Sequence, residues 1–219
     1  MEKRALALME IVKSNLNGNS NISQEEKDNI GASIELFLTS FPDVDITPSI
    51  GLLSALKIRQ VSNLESQKII KYDNKQNTAF LNKSKLEESD GKNVCMQITL
   101  NVLFSNDNKE MKALSTGITE SIANTLVGGS NESDEFYLFD RLTSVLDLDS
   151  ILSAYFCKDM ESIHDLAQTS GIGLEFENLL DNADYNFYRP TPSIADLIVE
   201  QLSKLEQTKS FNSVTGRSI

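Results

Sequence analysis

The chain has 219 residues, 40% of them hydrophobic and 24% charged, enough for one large domain or two small ones with a substantial core. Its 32 acids against 20 bases leave a formal charge of -12, which argues against wrapping nucleic acid phosphates or lying on an anionic membrane surface. One histidine and two cysteines, Cys95 and Cys157, are too few for a multi-histidine metal site, a zinc-binding cysteine set or a secreted disulfide framework.

Glu10 and Lys13 interrupt the apolar start too early for a secretory leader, and no run approaches the ~18 apolar residues of a membrane span. The expectation is a reduced, cytoplasmic chain, or one assembled into a virion in a host cytoplasm. Leu6, Met9, Val12 and Leu16 stand near helical spacing until Asn17–Ser20 stops the helix. Ser23 with Glu26 three residues on is a capping box, and Ile30, Ile34, Phe37, Leu38 and Phe41 then form a stripe that ends at Pro42. Thr47-Pro48 places proline in a first turn, where its missing N–H costs nothing, ahead of Ile50, Leu52, Leu53 and Leu56. Residues 1–60 therefore read as two or three helical segments.

Lys68–Tyr72 and Thr78–Asn82 flank a polar turn at Asp73–Asn77 and predict a loose hairpin. From Val94 the even positions are Val94, Met96, Ile98, Leu100, Val102 and Phe104, while Asn93, Cys95, Gln97, Thr99 and Asn101 alternate with them. That period of two predicts a long strand with Ile98 on a buried face and Thr99 and Cys95 on a wetter one. Met111, Leu114, Ile118 and Ile122 predict a helix that stops at Gly128-Gly129. Phe136, Phe139, Leu142 and Leu146 predict another, and Asp147 or Asp149 caps a segment holding Ile151, Leu152, Tyr155 and Phe156. Further helices are expected over 159–169, stopped at Gly171, and over 174–182. The Tyr188–Pro192 run is a break, after which Ser193 opens a last helix to Gln207, followed by a polar tail.

The expected fold class is α+β: a helical N-terminal region, a small antiparallel sheet with one long amphipathic strand at about 94–104, and a helical C-terminal half. Residues 1–189 are expected to form a single compact domain. Residues 190–219 are expected to form a Pro-bounded helix and tail able to dock on a partner. The strand at 94–104 running into a helix at 109–127 is similar to the strand–helix unit of small ring-forming phage connector and tail-completion proteins, a unit that many other folds share.

Each chemical motif has a simpler structural reading. His164 follows Glu161 at helical spacing and precedes Asp165, but i+1 neighbours do not share a helical face, so an ordinary histidine is expected. Cys157 and His164 form a nucleophile–base pair only if the fold joins them, and no flanking motif supports that. Asp147, Asp149 and Asp159 lack the glycine and distal glutamate of a calcium loop and read as helix caps and first-turn charges. Gly128-Gly129 and Gly171-Ile172-Gly173 match no phosphate or dinucleotide loop. The helix-turn-helix spacing within Ile163–Leu180 would present Glu175 and Glu177 to DNA, so it reads as a helical corner.

No catalytic, cofactor or metal site is therefore assigned. Residues 131–190 hold 13 acids and 3 bases, which reads either as a solvated helical surface or as a face that steers a basic partner or stays apart from nucleic acid packed nearby. The stripe of Ile194, Leu197, Ile198, Leu202 and Leu205 on the last helix is expected to pack either on its own domain or, as a second candidate interface, on another chain. The expectation is a non-enzymatic structural or assembly subunit of a multi-chain particle, in its most specific form a phage or virus head–tail connector or tail-completion protein. Its partners would be other proteins or further copies of itself, with no specific nucleic acid and no membrane. The alternative is a cytosolic binding or regulatory protein that uses the acidic helical surface.

Overall fold

In the computed structural model the described residues are 2–62, 64, 68–86, 89–105, 111–129, 133–174, 176–180, 203–204 and 207. The fold is α+β and mostly helical, with a small mixed sheet between N-terminal and C-terminal helices. The chain divides into two compact units, Met1–Ser105 with Ile122–Ser130, and Asn106–Ser121 with Asn131–Ile219.

The first unit begins with helices α1 (Glu2–Gly18) and α2 (Gln24–Ser40), which pack on each other. The capping box at the start of α2 is present: Ser23 Oγ accepts from Glu26 N–H at 3.2 Å, and Glu26 Oε2 accepts from Ser23 N–H at 2.6 Å. In α1 the buried stripe is Leu8, Val12 and Leu16, an i, i+4 row, whereas Leu6 of the expected stripe is 66% exposed. Proline does open α3 (Thr47–Ile50), and a 3-10 turn follows at Gly51–Ala55. Asn19, just past α1, holds that turn by donating from Nδ2 to the Leu53 and Leu56 carbonyls at 2.8 and 2.9 Å.

The expectation that residues 1–60 are helical fails at their end, where Lys57–Val61 is strand β1. Strands β2 (Ile70–Asp73) and β3 (Thr78–Asn82) form the expected hairpin, and α4 (Lys83–Leu86) follows. The sheet order is β1-β3-β2, with β3 antiparallel to β2 but parallel to β1, so the sheet is mixed rather than antiparallel. Ala79 and Leu81 of the central strand are buried.

The larger correction concerns residues 94–104. They are not a strand but most of helix α5 (Gly91–Phe104), capped by Asp90, whose side chain accepts from Lys92 N–H at 2.9 Å. Ile98 and Thr99 are both buried, at 2% and 0% exposure. The helix packs against α2, α3, the 3-10 turn and β2, so it needs no solvated face and no 3.6-residue amphipathic pattern. Two of its polar side chains bond back to the helix itself: Thr99 Oγ1 donates to Cys95 O and Asn101 Nδ2 to Gln97 O, both at 2.8 Å. Phe104 at its end meets Phe37 of α2 with ring centroids 5.3 Å apart.

Helix α6 (Lys112–Val127) spans the division between the units and ends, as the glycines predict, at Gly128 and Gly129, with φ of 78° and 142°. Asn93 of α5 is buried in the first unit, donating from Nδ2 to Asn124 Oδ1 and to the Gly128 carbonyl and accepting from Gln97 Nε2.

In the second unit, α7 (Asp134–Leu142) is capped by Ser133, and α8 (Leu148–Phe156) by Asp147, whose Oδ2 accepts from Ser150 N–H at 2.9 Å. Gly117 of α6 allows a close crossing of α7, because a Cβ there would lie 2.0 Å from the Glu135 carbonyl oxygen. Thr119 Oγ1 donates to the Ser115 carbonyl and so accepts the proton of the buried Tyr155 hydroxyl at 2.7 Å. Helix α9 (Ser162–Thr169) packs on α8 and ends at Gly171 (φ 73°) in a Schellman turn, with Gly171 N–H bonded to Gln168 O and Ile172 N–H to Ala167 O. Residues 173–174 and 176–180 are helical, which makes Ile163–Leu180 the expected helical corner.

The break at Tyr188–Pro192 lies outside the described residues. Of the expected last helix, Ser203, Lys204 and Gln207 are described and helical.

Candidate interaction surface

The stripe Ile194, Leu197, Ile198, Leu202 and Leu205 lies outside the described residues. The acidic half is described over 133–174 and 176–180, where Asp140, Asp147, Asp149, Asp159, Glu161, Asp165 and Glu177 are exposed and the exposed bases are Arg141 and Lys158. Asp147 is committed to its capping role. Asp149 follows in the first turn of α8, and Asp165 lies in the first turn of α9, where helix N-terminal N–H groups favour a negative charge. Glu161 and Asp165 stand four residues apart at the start of α9, on one side of it, with Asp159 just before.

The nucleophile and base candidates lie in ordinary surroundings. His164 is half-buried with its ring edge-on to Phe176, centroids 5.4 Å apart. Cys95 and Cys157 are both free thiols. Burial, helped by the Glu26 and Glu25 carboxylates, pushes the Cys95 thiol up to about 11, the reverse of what a nucleophile needs. Cys157 is exposed where α8 ends, and Lys158 after it adopts φ 58°. Among the described residues no group of His, Cys, Asp and Glu is arranged to hold a metal ion, and none of their helices is long and apolar enough to cross a membrane.

One charged surface escaped the sequence reading. Residues 57–86 hold seven of the 20 bases and only two of the 32 acids, a local excess of positive charge in an acidic chain. The signal was available as a windowed charge count. Only the sheet register shows how part of it is arranged: Arg59 of β1 and Lys71 of β2 both pair with Phe80 of β3, so the three stand side by side on one face. Lys57 lies on the same face two residues from Arg59. Arg59 and Lys71 are exposed and Phe80 is half-buried, in a strand otherwise buried at every position.

No family model matches this chain, and no curated protein or solved structure matches it.

Proposed function

We propose that this chain is a non-enzymatic subunit of a multi-chain assembly and that its acidic helical unit is a docking surface for a basic protein surface. The observation that carries the reading is the run of exposed carboxylates from Asp140 to Glu177, set against Arg141 and Lys158. Such a surface attracts basic partners over distances set by screening and repels phosphate backbones. The raised Cys95 thiol and the His164 ring packed on Phe176 support a role without covalent or acid–base chemistry. Two free thiols fit assembly in a reducing cytoplasm.

A head–tail connector or tail-completion protein is the most specific form of this reading, although the segments with a strand–helix likeness to such proteins are the helices α5 and α6. A regulatory binding protein would use the same acidic surface, and self-association distinguishes the two. Light scattering coupled to gel filtration of the full chain, over a range of concentrations, is expected to give masses above that of one chain. A single-chain mass at every concentration would refute self-assembly.

A further inference from the structure

We propose that the basic face of the sheet is the docking site for the acidic start of α9 on a second copy of this chain. The inference rests on the assembly reading above and names the partner surface within it. Lys57 and Arg59 stand on the same face of an edge strand, and neither has an ion-pair partner among the described residues. Charged residues on an edge strand discourage unwanted strand pairing, and one or two charges suffice for that. Seven bases within 57–86 are more than this role requires.

The complementary charges are on the same chain and match in spacing. Two residues along a strand separate Lys57 from Arg59 by about 7 Å. Four residues along a helix separate Glu161 from Asp165 by about 6 Å. Both acids are exposed. As an i, i+4 like-charge pair they repel each other, and two cations facing them would relieve that repulsion. Charge alone is weak at physiological ionic strength, so an apolar contact is needed at the centre of the interface. Phe80, half-buried between Arg59 and Lys71, supplies one on the sheet. A contact between two different surfaces of the same chain is heterologous. It propagates from copy to copy and closes into a ring or runs on as a filament.

Charge reversal on the full chain tests this, with association read by sedimentation velocity and folding by circular dichroism. K57E/R59E and E161K/D165K are each expected to weaken self-association by about tenfold or more. Mixing the two variants is expected to restore it, because each reversed surface then meets its complement. Wild-type association is expected to weaken from about 0.1 M to about 1 M salt as the screening length falls from about 10 to about 3 Å. The neutral variant K57Q/R59Q is expected to show the same loss in smaller degree, and it reports on the surface should the reversed sheet fail to fold. Association indifferent to both sheet variants, or lost in the single variants and not regained in the mixture, overturns the docking site and leaves the assembly reading standing. A wild-type chain that never associates overturns both.

Discussion

Asn93, buried near the start of α5, donates from Nδ2 to Oδ1 of Asn124 near the end of α6, 2.8 Å away. The same nitrogen reaches the Gly128 carbonyl at 3.1 Å, and Asn93 Oδ1 accepts from Gln97 Nε2 at 2.7 Å. One amide thus joins two helices through residues 31 positions apart in sequence. Asn93 and Gln97 are buried, so their amides are costly to leave unsatisfied.

Two substitutions are expected to break that network by different routes. Asn93→Leu keeps the branched outline of the side chain but strips three hydrogen bonds, and should cost about 3 kcal/mol. Gly129→Ala places a Cβ 2.7 Å from Asn93 Nδ2 at a residue whose φ is +142°, a conformation that disfavours any side chain. It should cost about 2–3 kcal/mol. Urea unfolding of both variants checks the pair, and a loss under about 1 kcal/mol for Asn93→Leu would mean that water takes over the amide's partners.

Ile98→Asp and Thr99→Asp are expected to destabilise the protein alike, each by about 3 kcal/mol or more, because both put a carboxylate inside the packing around α5. A half-buried strand would give a large loss for Ile98 and a small one for Thr99. Equilibrium unfolding of the two variants side by side separates these outcomes.

Gly117→Ala is expected to destabilise the second unit by about 3 kcal/mol or more, since the atoms its Cβ would strike are the backbone carbonyl of Glu135 and cannot swing aside. Gly18→Ala is the control. Nothing lies within 4 Å of its Cβ position, and the change should stay within about 1 kcal/mol. Thermal unfolding followed by circular dichroism measures both.

The Cys95 thiol gives stability a falling alkaline limb. Its value rises from 9.0 to about 11 in the folded protein through burial and then the Glu26 and Glu25 carboxylates. Above the lower value the unfolded chain loses its proton while the folded chain keeps it, so stability declines with pH between 9.0 and about 11. Cys95→Ala should flatten that decline. At neutral pH a thiol reagent should modify the exposed Cys157 first and reach Cys95 slowly, which peptide mapping of partly labelled protein would show.

What the sequence determined by itself was local chemistry. Ser23 and Glu26, Pro48, Asp147, Gly128-Gly129 and Gly171 each start or stop a helix through a hydrogen bond or a backbone angle that depends on residues close by. Those features are legible because tertiary packing does not alter what they satisfy. The acidic stretch was equally legible, since charge is additive along a chain. The α5 helix was not. Val94, Met96, Ile98, Leu100, Val102 and Phe104 alternate as a strand would, yet a helix enclosed on several sides buries residues of either parity and leaves the apolar pattern uninformative. The polar residues carried the better signal, because Asn93, Gln97 and Asn101 recur every four positions, with Asp90-Gly91 ahead of them as cap and first turn. The parallel pairing of β1 with β3, and the row of Arg59, Phe80 and Lys71 that it creates, came from tertiary structure alone. Strand register depends on which distant segment lies alongside, and no residue within Lys57–Val61 specifies that.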